Sequence, residues 1–191
     1  IYVVITYRYN MATMCVAVTE PDFQDGSAQT VPEQHLLNDK WVLYHHLPSE
    51  KNWTLSGYTI LANDIDTTAK VIALKNYIPE NMIKYSMLFL MRKGITPLWE
   101  DPRNKEGGCF SYKVFNKQVE QVWRELMCVI CGETLTDEKH SKYITGITIS
   151  PKKNFCIIKI WLSTKDYQDP NIILPIENLV KHGSVFKNHM D

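Results

Sequence analysis

No stretch of the chain stays apolar for the ~18 residues that a membrane-spanning helix requires. Neither sign of charge dominates: Lys plus Arg and Asp plus Glu each number 21. A broad basic field that would hold nucleic acid by its phosphates is thereby excluded, and any such contact must be local and chemical. The five cysteines are scattered and odd in number, which argues against a secreted disulfide framework and for a reducing, cytoplasmic setting. Cys128 and Cys131 form a C-x-x-C, but no second pair follows at zinc spacing, so both read as buried helix residues rather than metal ligands. The sequence also lacks a glycine-rich nucleotide loop, a zinc constellation, and a nucleophile with its base. Glu100 and Asp101 are adjacent and do not converge as an acid–base pair. The expectation is a non-enzymatic protein with neither metal nor cofactor.

What the chain does have is length and apolar content for one sizeable core: 191 residues, 45% of them hydrophobic. The apolar opening from Ile1 to Ile5 lacks the basic start of a signal peptide. With Ile first and Met11 following, the first ten residues fit a fragment edge or a translated leader equally. Residues 11–34 mix small, acidic and polar side chains with three helix- and strand-breaking residues, Pro21, Gly26 and Pro32. They read as part of a flexible N-terminal tail over 1–34, ahead of a single domain over 35–191.

From Lys40 on, periodic elements follow closely. Trp41–His45 and Trp53–Leu61 are β-rich runs on either side of a polar loop, reading as a hairpin with Trp53 at the loop end. His45 and His46 are adjacent, and neighbours on a strand point to opposite faces, so they cannot share an ion. Asp64 or Asp66 is placed to cap a helix reaching about Tyr77, with Val71, Leu74 and Ile78 inward. Met87–Met91 reads as a buried strand and Cys109–Phe115 as its antiparallel partner. Asn116 is placed to cap the strongest helix, in which Val119, Val122, Trp123, Leu126, Met127 and Ile130 recur at helical spacing before Gly132 ends it. Tyr143–Ile149 and Phe155–Leu162 form another hairpin. Pro175–Lys181 reads as a short helix and Val185–Met190 as a last strand. Antiparallel strand pairs punctuated by separate helices make an α+β domain, with the helices on one face of a sheet.

One segment stands out chemically. From Gly94 to Phe110 the chain reads Gly-Ile-Thr-Pro-Leu-Trp-Glu-Asp-Pro-Arg-Asn-Lys-Glu-Gly-Gly-Cys-Phe. Trp99 followed at once by Glu100 sets a flat π surface beside an acceptor-only carboxylate. A planar, positively charged, donor-bearing ligand needs this combination, because a cation over an indole face gains about 0.5–2 kcal/mol and ring donors make charge-assisted bonds to a carboxylate. The plainer reading of an isolated Trp-Glu pair is a tryptophan packed at a strand end.

This segment closely resembles the signature of the eukaryotic translation initiation factor 4E family, the mRNA cap-binding proteins. The likeness continues at Trp41–Trp53, at Trp123–Glu133 and at Gly146–Trp161, in the family's order and with similar spacings. It implies a strongly curved antiparallel sheet, helices across its convex back, and a ligand slot on its concave side. It also implies binding of the 7-methylguanosine cap of mRNA and recruitment of the translation machinery. By the same likeness Trp53 and Trp99 are the two indoles that sandwich the methylated base, Glu100 reads its ring and exocyclic nitrogens, and Trp161 meets the added methyl group. At the phosphate end the pattern departs from the family. Lys152 stands where relatives carry an Arg, Ile157 where they carry a Lys, and Cys109 where many carry a basic residue. Lys159, two residues before Trp161 and on the same strand face, is the candidate to replace the missing charge.

The resemblance further implies a convex patch that receives an amphipathic helix from the scaffold protein 4G or from competing 4E-binding proteins. His35 and Glu125 agree with that patch. Leu36, Thr68, Ile72, Arg124 and Cys128 replace its usual residues, and Ile72 stands for an anchoring Trp. This divergence raises a non-standard partner, and an alternative role as a cap-binding competitor or repressor that does not engage the usual scaffold. Cellular and viral origins suit it equally.

Overall fold

A computed structural model describes residues 4–9, 12–17, 35–181 and 183–190, with side chains described from residue 35 on. Its main body is a seven-stranded, curved, unclosed sheet, antiparallel throughout, built from β3 (Leu36–His46), β4 (Thr59–Thr67), β5 (Met87–Arg92), β6 (Gly108–Phe115), β7 (Ile144–Pro151), β8 (Phe155–Leu162) and β9 (Val185–Asn188). The strand order is β4-β3-β5-β7-β8-β6-β9. Among the described residues, five α-helices interrupt the strands: α1 (Thr68–Tyr77), α2 (Glu80–Tyr85), α3 (Pro102–Lys105), α4 (Val119–Cys131) and α5 (Glu138–Ser141). This is the expected α+β architecture.

Strand alternation divides the sheet's side chains between two apolar layers. On one face Leu43, Leu88, Leu90, Phe110, Tyr112, Ile147, Ile158 and Ile160 join the buried residues of α1 and α4 in the main core. On the other face lies a smaller cluster of Val42, Tyr44, Phe89, Met91, Ile95, Cys109 and Trp161, to which no helix contributes. That second face is the concave floor. Gly146 belongs to it for a steric reason: a Cβ there would stand 2.4 Å from Met91 Sδ and 2.6 Å from the Leu90 carbonyl oxygen.

Helix α4 fulfils its periodicity. Val119, Val122, Trp123, Leu126, Met127 and Ile130 are all buried, and Gly132 is its C-terminal cap. Trp123 is core, as its spacing requires. In α1, Val71 and Leu74 are buried, and Ile78 just beyond it is buried too. The β7–β8 hairpin and strand β5 also stand where the pattern puts them. Cys131 is buried and Cys128 half-buried in α4, and burial raises the Cys131 thiol pKa.

Several expectations are corrected. Asp64 and Asp66 do not cap α1, because β4 runs on through them to Thr67, whose Oγ1 accepts from Lys70 N at 3.3 Å. The second run of the first hairpin begins at Thr59 rather than Trp53, because the segment between is folded on itself by side-chain hydrogen bonds. Cys109–Phe115 pairs with β8 and β9, not with β5, whose neighbours are β3 and β7. Asn116 does not cap α4: Gln118 holds that position, and Asn116 Oδ1 accepts instead from the Cys156 thiol at 3.8 Å. Pro175–Lys181 is not helical. Asn178 turns the chain with φ at 65°, and the short helical turn lies earlier, at Pro170–Ile172.

Within the leading segment, β1 (Val4–Tyr9) pairs antiparallel with β2 (Ala12–Ala17). The sequence reading places no strand in this segment. Residues 18–34 lie outside the described residues. No helix among the described residues is long and apolar enough to cross a membrane.

A concave site of two half-open indoles

Trp53 projects from the β3–β4 connection, where local chemistry fixes the backbone. Asn52 Oδ1 accepts from Thr54 N at 3.0 Å and Thr54 Oγ1 at 2.7 Å, Asn52 Nδ2 donates to Ser56 Oγ at 3.0 Å, and Asn52 N donates to Glu50 Oε1 at 2.7 Å. The chain then passes so close that a Cβ on Gly57 would stand 2.0 Å from the Asn52 carbonyl oxygen, a contact only glycine allows. His46, fully buried on the concave face, completes the arrangement. Its Nε2–H donates to the Asn52 carbonyl oxygen at 2.9 Å. Its ring stacks on the Trp53 indole at 4.3 Å between centroids and 12° between planes. One face of Trp53 is therefore backed by an imidazole, while the residue as a whole is 51% exposed.

Trp99 projects from the β5–β6 connection, and the residues after it act as its clamp. Asp101 accepts from Thr96 N at 2.7 Å, Thr96 Oγ1 at 2.8 Å and Arg103 N at 3.0 Å, so it both ties the loop and caps α3. Burial opposes the Asp101 charge, but these hydrogen bonds prevail and hold its pKa below the ordinary carboxylate value. Asn104, fully buried, donates to the carbonyls of Thr96 at 3.1 Å and Leu98 at 2.8 Å. Arg103 Nη2 donates to the Gly94 carbonyl, where the chain turns with φ at +83°. Between these anchors Trp99 is left 50% exposed and Glu100 exposed.

Tyr58 ends the first of these loops, just ahead of β4. Its ring lies 4.7 Å from His46 and meets Phe89 edge-on at 5.1 Å. Burial, and then the Glu100 carboxylate, push its pKa up to about 12. That pairing places Glu100 within electrostatic range of the site's floor. Lys159 is on β8, and its Nζ stands 5.3 Å from the centre of the Trp99 ring. A cation already occupies the π face of this indole.

Trp161 lies deeper than the resemblance suggests. It is 1% exposed, its Nε1–H donates to Thr148 Oγ1 at 3.2 Å, and the His189 ring lies against it at 4.6 Å. Burial, and then the Lys159 charge, push the His189 pKa down to about 4, so this ring is neutral at physiological pH. Lys152 is exposed at the β7–β8 turn. Trp53, Trp99, Glu100, Trp161 and Lys159 thus belong to one concave surface, and Lys152 stands at its end.

The residues expected to receive a helical partner lie elsewhere. His35 precedes β3 and Leu36 opens it, and the His35 carbonyl accepts from Thr68 N at the head of α1. Leu36 is 76% and Ile72 54% exposed. On α4, Glu125 and Cys128 are half-buried, whereas Arg124 is engaged: its Nε donates to Glu120 Oε1 at 3.0 Å and its Nη2 to the Ile78 carbonyl at 2.8 Å. Sequence reasoning missed His46, Tyr58 and His189. The alternation that keeps His45 and His46 from sharing an ion also puts His46 on the floor beneath Trp53.

A curved sheet with helices on one face and two half-open indoles beside a free carboxylate on the other defines a binding protein for a flat, cationic aromatic ring. The comparisons give that class its family. Residues 36–189 match the model of the eukaryotic initiation factor 4E family, and the chain belongs to that family. A eukaryotic translation initiation factor 4E homolog of Acanthamoeba polyphaga mimivirus is 50% identical over 62 residues, covering 32% of this chain and 23% of that protein. Eukaryotic translation initiation factor 4E-1A of Danio rerio is 29% identical over 154 residues, covering 78% of this chain and 69% of that protein. Among solved structures, C. elegans initiation factor 4E-3 in complex with the 4E-binding protein Mextli and cap analog superposes with a TM-score of 0.62 at 25% identity, covering 69% of this chain and 76% of the other.

Proposed function

We propose that this protein is a cytoplasmic, non-enzymatic translation initiation factor that holds the 7-methylguanosine cap of mRNA between Trp53 and Trp99. The observation that carries the reading is the pair of half-exposed indoles, each fixed by its own loop, with Glu100 next to Trp99 and an ammonium already resting on the Trp99 face. Methylation at N7 gives guanine a delocalised positive charge, so cation–π attraction favours the methylated base where plain stacking would not discriminate. Glu100 then accepts from the base's ring and exocyclic nitrogens in charge-assisted bonds. The ligand supplies both the charge and the donors that make burying a carboxylate favourable.

The remaining residues take supporting roles. His46 holds the Trp53 plane from behind, so that its free face is the one offered. Lys159 leaves Trp99 as the cationic base arrives and meets the phosphates, joined by Lys152 from the turn. Trp161 forms the floor, and its contact with the methyl group requires the His189 ring to move aside. On the helical side, Leu36 and Ile72 offer exposed apolar surface near the start of α1. With His35, Arg124, Glu125 and Cys128 they form the patch for a helical peptide from a scaffold or 4E-binding protein. C. elegans initiation factor 4E-3 has been solved with the 4E-binding protein Mextli. The relatives matched are initiation factors, which favours recruitment over the competitor role.

Quenching of tryptophan fluorescence by 7-methyl-GTP, beside GTP, tests the reading. The methylated ligand is expected to bind several-fold tighter or better, and Trp53→Ala or Trp99→Ala to abolish the preference. Equal binding of both nucleotides, or a preference that survives both changes, would refute it.

A further inference from the structure

The concave face does not end at the slot. Alternation places Cys109, Ser111, Lys113 and Phe115 of β6 beside Trp161, Lys159, Ile157 and Phe155 of β8, with Cys109↔Trp161, Ser111↔Lys159, Lys113↔Ile157 and Phe115↔Phe155 directly opposite one another. Rows on one strand face are spaced about 7 Å apart, so four rows run some 20 Å from the floor of the slot to the β7–β8 turn.

Their chemistry changes along the way. The Trp161 row is buried and the Lys159 row half-open. At the far rows Lys113 is exposed, with its Nζ 4.5 Å from the centre of the Phe155 ring and 5.2 Å from that of Phe115. Phe115 is 52% exposed. Lys152 and Lys153 stand exposed at the turn beyond. Neither 109–115 nor 150–162 contains an Asp or Glu. Strand β9 covers the outer edge of β6 only as far as Ser111, so the edge from Lys113 to Phe115 has no further strand among the described residues.

We infer that this stripe is the path of the single-stranded RNA that follows the cap, with Phe115 and Phe155 as stacking faces for bases and Lys113 and Lys153 as phosphate contacts. Such a path needs flat faces that accept any base, interleaved with cations that track the backbone. Aromatic rings on a sheet face, one exposed and one half-buried, with a lysine seated between them and no acid in either strand segment, meet that need. The stripe is continuous with the phosphate end of the slot at Lys159, which fixes the direction in which the RNA leaves. The inference rests on the cap-binding reading, and it adds that the first nucleotides contribute affinity without sequence preference.

Fluorescence anisotropy on the full chain tests it with 7-methyl-GTP, a short capped RNA, and the same RNA carrying an uncapped triphosphate. The capped RNA is expected to bind about fivefold or more tighter than 7-methyl-GTP, from stacking of one base or more. Phe115→Ala and Lys113→Gln, both at exposed positions, are expected to remove most of that gain while leaving 7-methyl-GTP affinity unchanged. A gain that persists in both variants, or no gain in the unaltered protein, overturns the proposal. If 7-methyl-GTP itself fails to bind, the cap reading falls and the uncapped RNA decides separately. Weakened binding in the two variants then supports the stripe, and unchanged or absent binding rejects it.

Discussion

Lys159 is the residue whose substitution should act in opposite directions on two closely related ligands. Its ammonium stands on the Trp99 ring in the free protein, where the proposed cap base must lie. A ligand therefore has to displace an internal cation worth about 0.5–1 kcal/mol at a partly exposed site. For 7-methylguanosine, which has no phosphate, nothing returns that cost. Lys159→Met is expected to tighten binding of the nucleoside by about two- to fivefold, taking 1.4 kcal/mol per factor of ten. For 7-methyl-GTP the displaced ammonium gains phosphate oxygens, and a hydrogen bond to a charged group is worth about 1.5–3 kcal/mol. Losing it while sparing the displacement leaves a net loss of about 1–2 kcal/mol, or roughly five- to thirtyfold weaker binding. Only the triphosphate's deficit should shrink as salt rises. Titration by tryptophan quenching at two ionic strengths reads both arms. If nucleoside and triphosphate weaken together, or neither moves, Lys159 does not exchange one partner for the other and the reasoning fails.

Two further outcomes follow from residues that the site places behind its binding surfaces. His46→Phe keeps a ring behind Trp53, whereas His46→Ala removes it. Affinity for 7-methyl-GTP should fall only with alanine, by about 0.5–1.5 kcal/mol, the worth of an aromatic pair, and equal losses would show that the hydrogen bond to Asn52 matters instead of the stack. His189 titrates near 4 when folded against about 6.5 when unfolded, so between these values the unfolded chain binds more protons. Stability should therefore be full above about pH 6.5 and decline as pH falls toward 4. His189→Phe should flatten that part of the melting-temperature profile, and an unchanged slope would show that other groups carry it.

The elements most legible in the sequence were those whose partners are local or whose period is long. Helix α4 announces itself through six buried residues at helical spacing, and the β7–β8 hairpin through two alternating runs about a short polar turn. What alternation cannot supply is neighbourhood. A period of two tells which face a residue takes, not which strand lies beside it, so it offers β5 as the partner of Cys109–Phe115, which in the fold pairs with β8. Caps failed for a related reason. Asp64 and Asp66 carry the right side chains, but strand pairing with β3 extends past them to Thr67. Of the proposed site, Trp53, Trp99 and Glu100 stand out in the sequence because their types and spacing match a family signature. The backing of Trp53 by His46 and the cover of Trp161 by His189 were not, since each joins residues through the fold and has no signal in composition.

The exchange of neighbours around β5 has a bearing on how Trp99 is held. Its loop leaves the sheet at β5 and re-enters at β6, with β7 and β8 lying between, a gap of about 14 Å at ordinary strand spacing. The indole thus hangs from a span whose two footings are set by chain segments far apart in the sequence. Its position registers the closure of the whole middle of the molecule, and a polypeptide stopped short of Leu162 would carry the Gly94–Phe110 signature intact without the geometry that gives it use.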